Sequence, residues 1–575
     1  MGSNKVKKID FSYKRFGKMA DKYYNEGDFV SALRFAYKQI EYYGGDGDVY
    51  IRLADIYESM GLHSSAIRWL YKFLDDCEPE DLPDIYEGLA VNYLNLGNES
   101  QSAYYYNLLI EVDDTLPEET KYDIAAAFSS KKKDAFRFVY PPEAADYERE
   151  ISLGSRALKN GDCQRAIQAF SQVAKGAEGY ERAKEMQAVA CLLSDRAEEA
   201  ERICLELLED DPKNVQAQAT LAATYLEQDR REESRALAEK LANQKGLNTD
   251  EIYKVATVCC ENDLNEEAYQ KFCELKNEMP YDGRVLFFKG VAAYKSGLLQ
   301  ESEDSFSLLC TIYPDAAVGR YYLERLRESK EGSELPEISY FYKIPHEERK
   351  QRVELLSQVG KASRDEAALF GSILEENGTF VWCFDEMDGS DHDLQFLALA
   401  VAERAQADGF LQDVLLDPEV ADVLKVELLE MLLTRNENAS LGLVLCHIYR
   451  KVLLLKVEIG RKKRKRFIEG HAKIASRFLA FSDGYAKKIK KTVENLYRVV
   501  EKYDQFDLCE SADDIACAVY LLAGLKELGI GQDIDAVSSA FGANAARVRV
   551  LLASCASADA GIEKTKEKHE EETQA

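Results

Sequence analysis

Small residues recur at one fixed interval through the first half of this chain, and that interval constrains the fold more than any other feature. Gly154, Ala188, Ala222, Ala256 and Gly290 stand 34 residues apart in four successive steps. Ala166, Ala200, Ser234, Ala268 and Ser302 keep the same interval, with Phe170, Cys204, Ala238, Phe272 and Phe306 four residues further on. An earlier register pairs Ala20 with Ala54, Tyr23 with Tyr57, Gly27 with Gly61 and Ala32 with Ala66; Ala90, Tyr93, Gly97 and Ser102 repeat its internal spacing. Two helices cross closely only where both carry a small side chain, so one column belongs to a first helix, A, and the other to a second, B. Gly27, Gly61, Gly97, Gly161, Asp195, Asp229, Asp263 and Gly297 mark the end of helix A, and Pro212, Pro280 and Pro314 close three of the units. A helix pair this small cannot bury its apolar side alone, so neighbouring pairs must stack.

These columns resemble the tetratricopeptide repeat, with eight units over 13–120 and 147–326. The resemblance implies an all-α chain built on an α-solenoid, whose concave face, lined by helix A, binds extended peptides or partner helices. The implied role is a protein–protein interaction scaffold or adaptor. One branch of the family clamps a C-terminal carboxylate with Lys and Asn on helix A. The corresponding places here hold Gly17, Ile51 and Glu87, and Asp21, Asp55 and Val91, so the clamp is absent. The lining offers Asp21, Asp48, Asp55, Glu58, Asp84 and Glu87 instead, and residues 41–119 carry 18 acidic against 3 basic side chains. Two readings stand: a solvated surface that keeps the array soluble, or a groove for a basic peptide.

The organisation that follows is three repeats over 1–120, an insert or hinge over 121–146, five repeats over 147–326 and a linker over 327–345. The insert is read as a partly helical joint or a degenerate repeat. Within the linker an aromatic strip from Ile338 to Ile344, bracketed by Pro336 and Pro345, reads as packing along the end of the solenoid, with a partner motif as the alternative. Residues 346–450 form a helical middle region without a strand signature. A basic helical domain over 451–556 and a disordered charged tail over 557–575 complete the chain.

At 575 residues the chain is too long for one core. Its 46% hydrophobic content and 11 prolines suit a folded helical protein. A formal net charge of -29 argues against nucleic-acid binding by the whole surface. The 13 cysteines form no CxxC pair, and Cys191, Cys204, Cys259 and Cys273 fall where helix pairs bury small residues, which fits a reducing compartment. No apolar signal core or spanning run occurs, and Val6 stands where a myristoylation signal wants Ser or Thr. The expectation is a soluble cytoplasmic protein with no membrane partner. No HExxH, GxSxG or phosphate-binding loop occurs, and the acids of "CFDEMDGSDHD" lack EF-hand order. The chain is therefore expected to be neither an enzyme nor a carrier of any cofactor or metal.

Against that acidity, residues 450–502 carry 17 Lys/Arg and 5 Asp/Glu. The crest is six consecutive cations, Arg461, Lys462, Lys463, Arg464, Lys465 and Arg466, and one later helix adds Lys487, Lys488, Lys490 and Lys491. Such sign asymmetry is a footprint of polyanion binding; a solvated helix face, or pairing with an acidic patch of the same chain, is the plainer reading. The residues beyond resemble the cyclin-like fold of transcription factor IIB: Ala516, Ala518, Tyr520 and Leu521 in one helix, then Ile534, Val537, a turn at Gly542, and Ala545, Val548 and Arg549. The resemblance implies a helix-turn-helix with Arg547 and Arg549 facing DNA. The family's zinc ribbon is missing, and Asp533 stands where Thr is usual. The second function expected is a nucleic-acid-associated regulator that contacts DNA or RNA through this domain and recruits partners through the repeats.

Overall fold

A computed structural model describes residues 13–113, 115–129, 147–330, 334–385, 391–435, 439–455, 464–478, 483–525 and 532–556. Eight helix pairs stand where the columns place them. The first three are α1 Tyr13–Asn25 with α2 Phe29–Tyr43, α3 Gly47–Ser59 with α4 His63–Asp75, and α5 Leu82–Asn95 with α6 Glu99–Val112. After a lone α7, Glu118–Ser129, come α8 Glu148–Lys159 with α9 Cys163–Phe170, α10 Tyr180–Leu192 with α11 Ala197–Asp210, and α12 Val215–Glu227 with α13 Arg231–Ala242. The last two pairs are α14 Thr249–Glu261 with α15 Asn265–Glu278, and α16 Gly283–Lys295 with α17 Leu299–Ile312; α18, Ala317–Lys330, follows them.

Every A-to-B turn closes in one way. The Gly or Asp of the turn column takes positive φ, from 55° at Asp263 to 78° at Gly297. The next amide then reaches back to helix A, as in Arg230 N to Tyr225 O at 2.8 Å and Leu298 N to Ala293 O at 2.8 Å. This left-handed cap satisfies carbonyls the helix would otherwise leave open. Helix starts are fixed as firmly: Asp28, Asp46, Asp162, Asn214 and Asp282 each accept from an amide three residues on, and Asn248 with Glu251 forms a reciprocal capping box.

The small columns are where A and B touch. Ala166, Ala200, Ser234, Ala268 and Ser302 are all fully buried. Ser234 Oγ donates to the Ala222 carbonyl at 2.9 Å, joining the two columns directly. A Cβ at Gly154 would come within 2.6 Å of the Phe170 ring.

Beyond α18 the helices are α19 His346–Lys361, α20 Arg364–Glu376, α21 Thr379–Asp385, α22 His392–Ala405, α23 Asp408–Leu416 and α24 Asp422–Arg435. A β-hairpin then corrects the expectation of a strand-free middle region: β1 Ser440–Leu445 pairs antiparallel with β2 Ile448–Leu453. Its two turn residues, Cys446 and His447, both take positive φ, 51° and 58°. Such turns normally announce themselves with Gly or Asn; here neither occurs, and the run "LGLVLCHIYRKVLLL" spaces its apolar residues in a way a helix also allows. Lys425, wholly buried, donates to the Val444 carbonyl at 2.7 Å and ties the hairpin to α24.

The C-terminal helices are α25 Arg464–Phe478, α26 Asp483–Lys502, α27 Ala512–Leu522, α28 Ile534–Phe541 and α29 over 545–556. They enclose a core of Phe467, Ile474, Val493, Leu496, Ile515, Val537, Val548 and Leu551, among others. By contacts the chain divides into two compact units. One comprises 1–66, 106–356 and 374–391; the other comprises 67–105, 357–373 and 392–575. In the first, α2 packs on α17 and the Tyr57 hydroxyl donates to the Ile312 carbonyl at 2.7 Å.

Candidate peptide-binding groove

On each helix A the residues three before, one after and four after the small column lie within about 60° of one another, so they present one side. In the seventh pair these are Tyr253, Thr257 and Cys260; in the eighth, Phe287, Val291 and Tyr294. The aromatic strip 335–345 lies against that side of α16 and reaches Cys260 at the end of α14, leaving Thr257 exposed, and meets α18 beyond them. Tyr294 donates its hydroxyl to the Pro336 carbonyl, and Tyr322 on α18 donates to the Lys343 carbonyl at 2.7 Å. Tyr340 donates to Asn265 Oδ1 at 2.7 Å and lies beneath the Lys295 ammonium at 5.3 Å. The Tyr342 ring meets Phe287 edge-on at 4.7 Å.

Burial varies along the strip. Ile338 and Ile344 are buried, while Leu335 and Phe341 are 58% and 74% exposed. A tight turn centred on Tyr342, Lys343 N to Phe341 O at 2.8 Å, bends the strip before Ile344. The strip is further held by Asp385 at the end of α21. That carboxylate accepts from the Val318 amide at 2.9 Å, capping α18, and from the Tyr342 hydroxyl at 3.0 Å. Burial is the main influence on it and pushes its pKa up to about 7, with the amide and hydroxyl pulling the other way. Its neighbour in the same acidic run, Asp391, pairs with Arg349 at 2.7 Å. The described residues hold no cluster of three or more His, Cys, Asp or Glu suited to a metal.

The acidic lining is placed as follows. Asp21 pairs with Arg52 Nε at 2.6 Å, and the same guanidinium donates to the Asp48 carbonyl at 3.0 Å. Asp48 and Asp55 are exposed on α3 and Glu58 is half-buried there. Asp84 and Glu87 are exposed on α5, in the second unit. In the basic zone Arg461, Lys462 and Lys463 lie outside the described residues, and Arg464 begins α25. Lys465 is exposed and 3.8 Å from Glu469; Arg466 donates to the Cys509 carbonyl at 3.1 Å. Lys487, Lys488 and Lys491 are exposed on α26 without an ion pair among the described residues, and Lys490 is half-buried.

The two arginines of the expected helix-turn-helix are engaged internally. Arg547 pairs with Glu510 and with the buried Asp514, whose other oxygen accepts from the Asn544 amide at 2.7 Å. Both oxygens of Asp535 accept from Arg549 Nη2 at 2.6 Å. The turn itself forms, with Gly542 at φ 70°.

A family profile for the tetratricopeptide repeat matches residues 151–215, the stretch where the 34-residue columns and the left-handed turns coincide. Over that stretch the helix pairs match the tetratricopeptide repeat, and the array as a whole is an α-solenoid of such pairs. Among curated proteins no match is found. Solved structures similar to this chain include yeast Tom70, at 14% identity over 74% of this chain and 96% of that one, with a TM-score of 0.27. The tandem repeat domain of yeast Sti1, solved in complex with a pHSP90 component, shares 17% identity over 47% of this chain and 98% of its own, with a TM-score of 0.20. Human IFIT1, solved as a dimer with PPP-AAAA, shares 14% over 74% and 93%, with a TM-score of 0.26.

One site escaped the sequence altogether. Within the second unit the hairpin turn rests on a tyrosine cluster from repeats two and three. The Tyr71 hydroxyl lies 2.6 Å from that of Tyr93 and donates to the His447 carbonyl at 2.7 Å. Tyr105 accepts from the Tyr449 amide at 3.1 Å, and the Tyr449 hydroxyl donates to Asp75 at 2.8 Å. Burial raises the pKa of all four tyrosines, so they stay neutral donors. Tyr93 stands in a repeat column of its own, so no local pattern set these tyrosines apart.

Proposed function

We propose that this protein is a non-enzymatic scaffold that takes segments of other proteins on the helix A side of its tetratricopeptide array. The observation that carries the reading is the seating of 335–345: side-chain hydroxyls from α16 and α18 take main-chain carbonyls, while alternate side chains fill the surface. That is how a helical groove holds a non-helical peptide. The exposed carboxylates of α3, and separately those of α5 in the second unit, each support a preference for basic segments. Thirteen cysteines outside any disulfide support a reducing, cytoplasmic setting. Affinity capture on the full chain from its native cell, with and without nuclease, tests this: proteins retained after nuclease are expected, and retention of none would sink the reading.

A second reading is favoured by one observation: Lys487, Lys488 and Lys491 are exposed on one face of α26 without an ion pair among the described residues. It is polyanion binding by the C-terminal domain, nucleic acid included. Arg547 and Arg549 add little to it, since their charge is already spent on Glu510, Asp514 and Asp535. The full chain and a Lys487→Glu/Lys488→Glu/Lys491→Glu variant would be titrated with single-stranded DNA and with RNA at several salt concentrations. This reading expects a steep salt dependence that the variant flattens.

A further inference from the structure

The strip 335–345 is chemically a ligand. It contributes no helix to the solenoid, its inward positions recur every second residue, and two of its carbonyls are read by hydroxyls rather than by backbone. Recognition through carbonyls does not depend on which residues carry them; specificity rests with the inward side chains. Those are Ile338 and Ile344, both buried, with Tyr340, met by Cys260, Asn265 and Lys295, and Tyr342, met by Phe287. On α16 Phe287 is 1% exposed, enclosed by Tyr342 of the strip together with Phe306 and Tyr322. A large aromatic, Phe341, meanwhile points away from the array at 74% exposure, which pure packing leaves unexplained.

We infer that residues 335–345 are a resident competitor in the groove of repeats seven and eight, and that the partner segment taken there carries the same alternation, an aliphatic residue followed by two tyrosines at every second position. This rests on the scaffold reading and adds to it a ligand class and a form of self-regulation. A partner must first wait for the strip to open, so its apparent affinity falls by the fraction of time the groove is vacant.

The probe is a labelled synthetic peptide, ELPEISYFYKIPH, copied from residues 334–346. Titrated into the full-length protein it binds weakly. Titrated into full-length Ile338→Ser/Tyr340→Ala, it binds about tenfold or more tightly, because the internal competitor is weakened. Adding Phe287→Ala and Tyr294→Phe to that variant abolishes the gain. A variant that keeps its helix content and cooperative melt, yet binds no better than the unaltered chain, overturns the inference. Should the variant fail to fold, hydrogen exchange on the unaltered protein decides. Strip amides exchanging well ahead of those in α16 and α18 support a displaceable segment; equal protection makes it a fixed part of the fold. A partner protein that remains bound at saturating peptide sinks this inference alone, whereas loss of all partner binding by the full chain sinks the scaffold reading.

Discussion

At single residues the small columns permit opposite predictions for similar changes. Gly154 faces the buried Phe170 ring, which has nowhere to move, so a Cβ at 2.6 Å forces the helices apart. Gly154→Ala should lower stability by about 1–2 kcal/mol, overpacking outweighing the ~1 kcal/mol of added helix propensity. A Cβ at Gly88 would meet the end of the Leu70 side chain no closer than 3.1 Å, a gap a rotatable methyl can give, and Gly88→Ala should be neutral or stabilising by up to about 1 kcal/mol. The column serines divide likewise. Ser234 Oγ has its acceptor, whereas Ser302 Oγ is buried without one. Urea denaturation should find Ser234→Ala destabilised by about 1 kcal/mol and Ser302→Ala not destabilised at all. Asp385 supplies a pH dependence. Its carboxyl holds a proton more tightly in the folded chain than at the ordinary value of 3.8. Its contribution is therefore complete below about pH 4 and is lost as pH rises through about 7. Relative to Asp385→Asn, the unaltered protein's urea midpoint should fall between about pH 4 and pH 7 and level off above.

Among elements, the turn that ends helix A is the most tightly specified. Asp195, Asp229 and Asp263 sit at φ near 56° where other repeats use glycine. Asp tolerates that region and a β-branched residue does not. Asp229→Gly should leave the melting temperature nearly unchanged, while Asp229→Val costs about 1–2 kcal/mol or more. Repeats of this kind are legible because close crossings, left-handed caps and capping side chains each demand particular residue types at fixed places. The eight helix pairs and their turns were therefore written at Gly154, Ala188 and their partners. The hairpin was not, because Cys446 and His447 adopt a turn conformation through their surroundings rather than through their own preference. For the groove, the acidic positions of the first repeats could be read, but not the seating of 335–345. Pro336 and Pro345 showed only that the strip was not helical; what received it depended on Tyr294 and Tyr322 pointing at main-chain carbonyls. The tyrosine cluster under the hairpin gives this element a test. Tyr71→Phe strands the His447 carbonyl and two neighbouring hydroxyls, so about 1–3 kcal/mol should be lost, read as faster hydrogen exchange across 440–453.

Taken whole, the chain is a sequence of strong local signals joined by long-range choices that leave little trace in local pattern. Charge shows the difference: the sign change from the acidic repeats to the basic band could be counted residue by residue. The fate of individual cations could not, and it separated Arg547 and Arg549, which clamp their own domain, from Lys487, Lys488 and Lys491, which do not. The division into two compact units is another such choice, since the chain passes between them five times and neither unit is one continuous stretch. The tyrosines at 71, 93 and 105 are synthesised more than three hundred residues before the hairpin that covers them. At roughly 5–20 residues per second on the ribosome, they remain uncovered for some tens of seconds. During that interval the nascent chain carries an unsatisfied, partly apolar surface, and it is there that a chaperone would be needed and that slowed translation or a truncated message would do most harm.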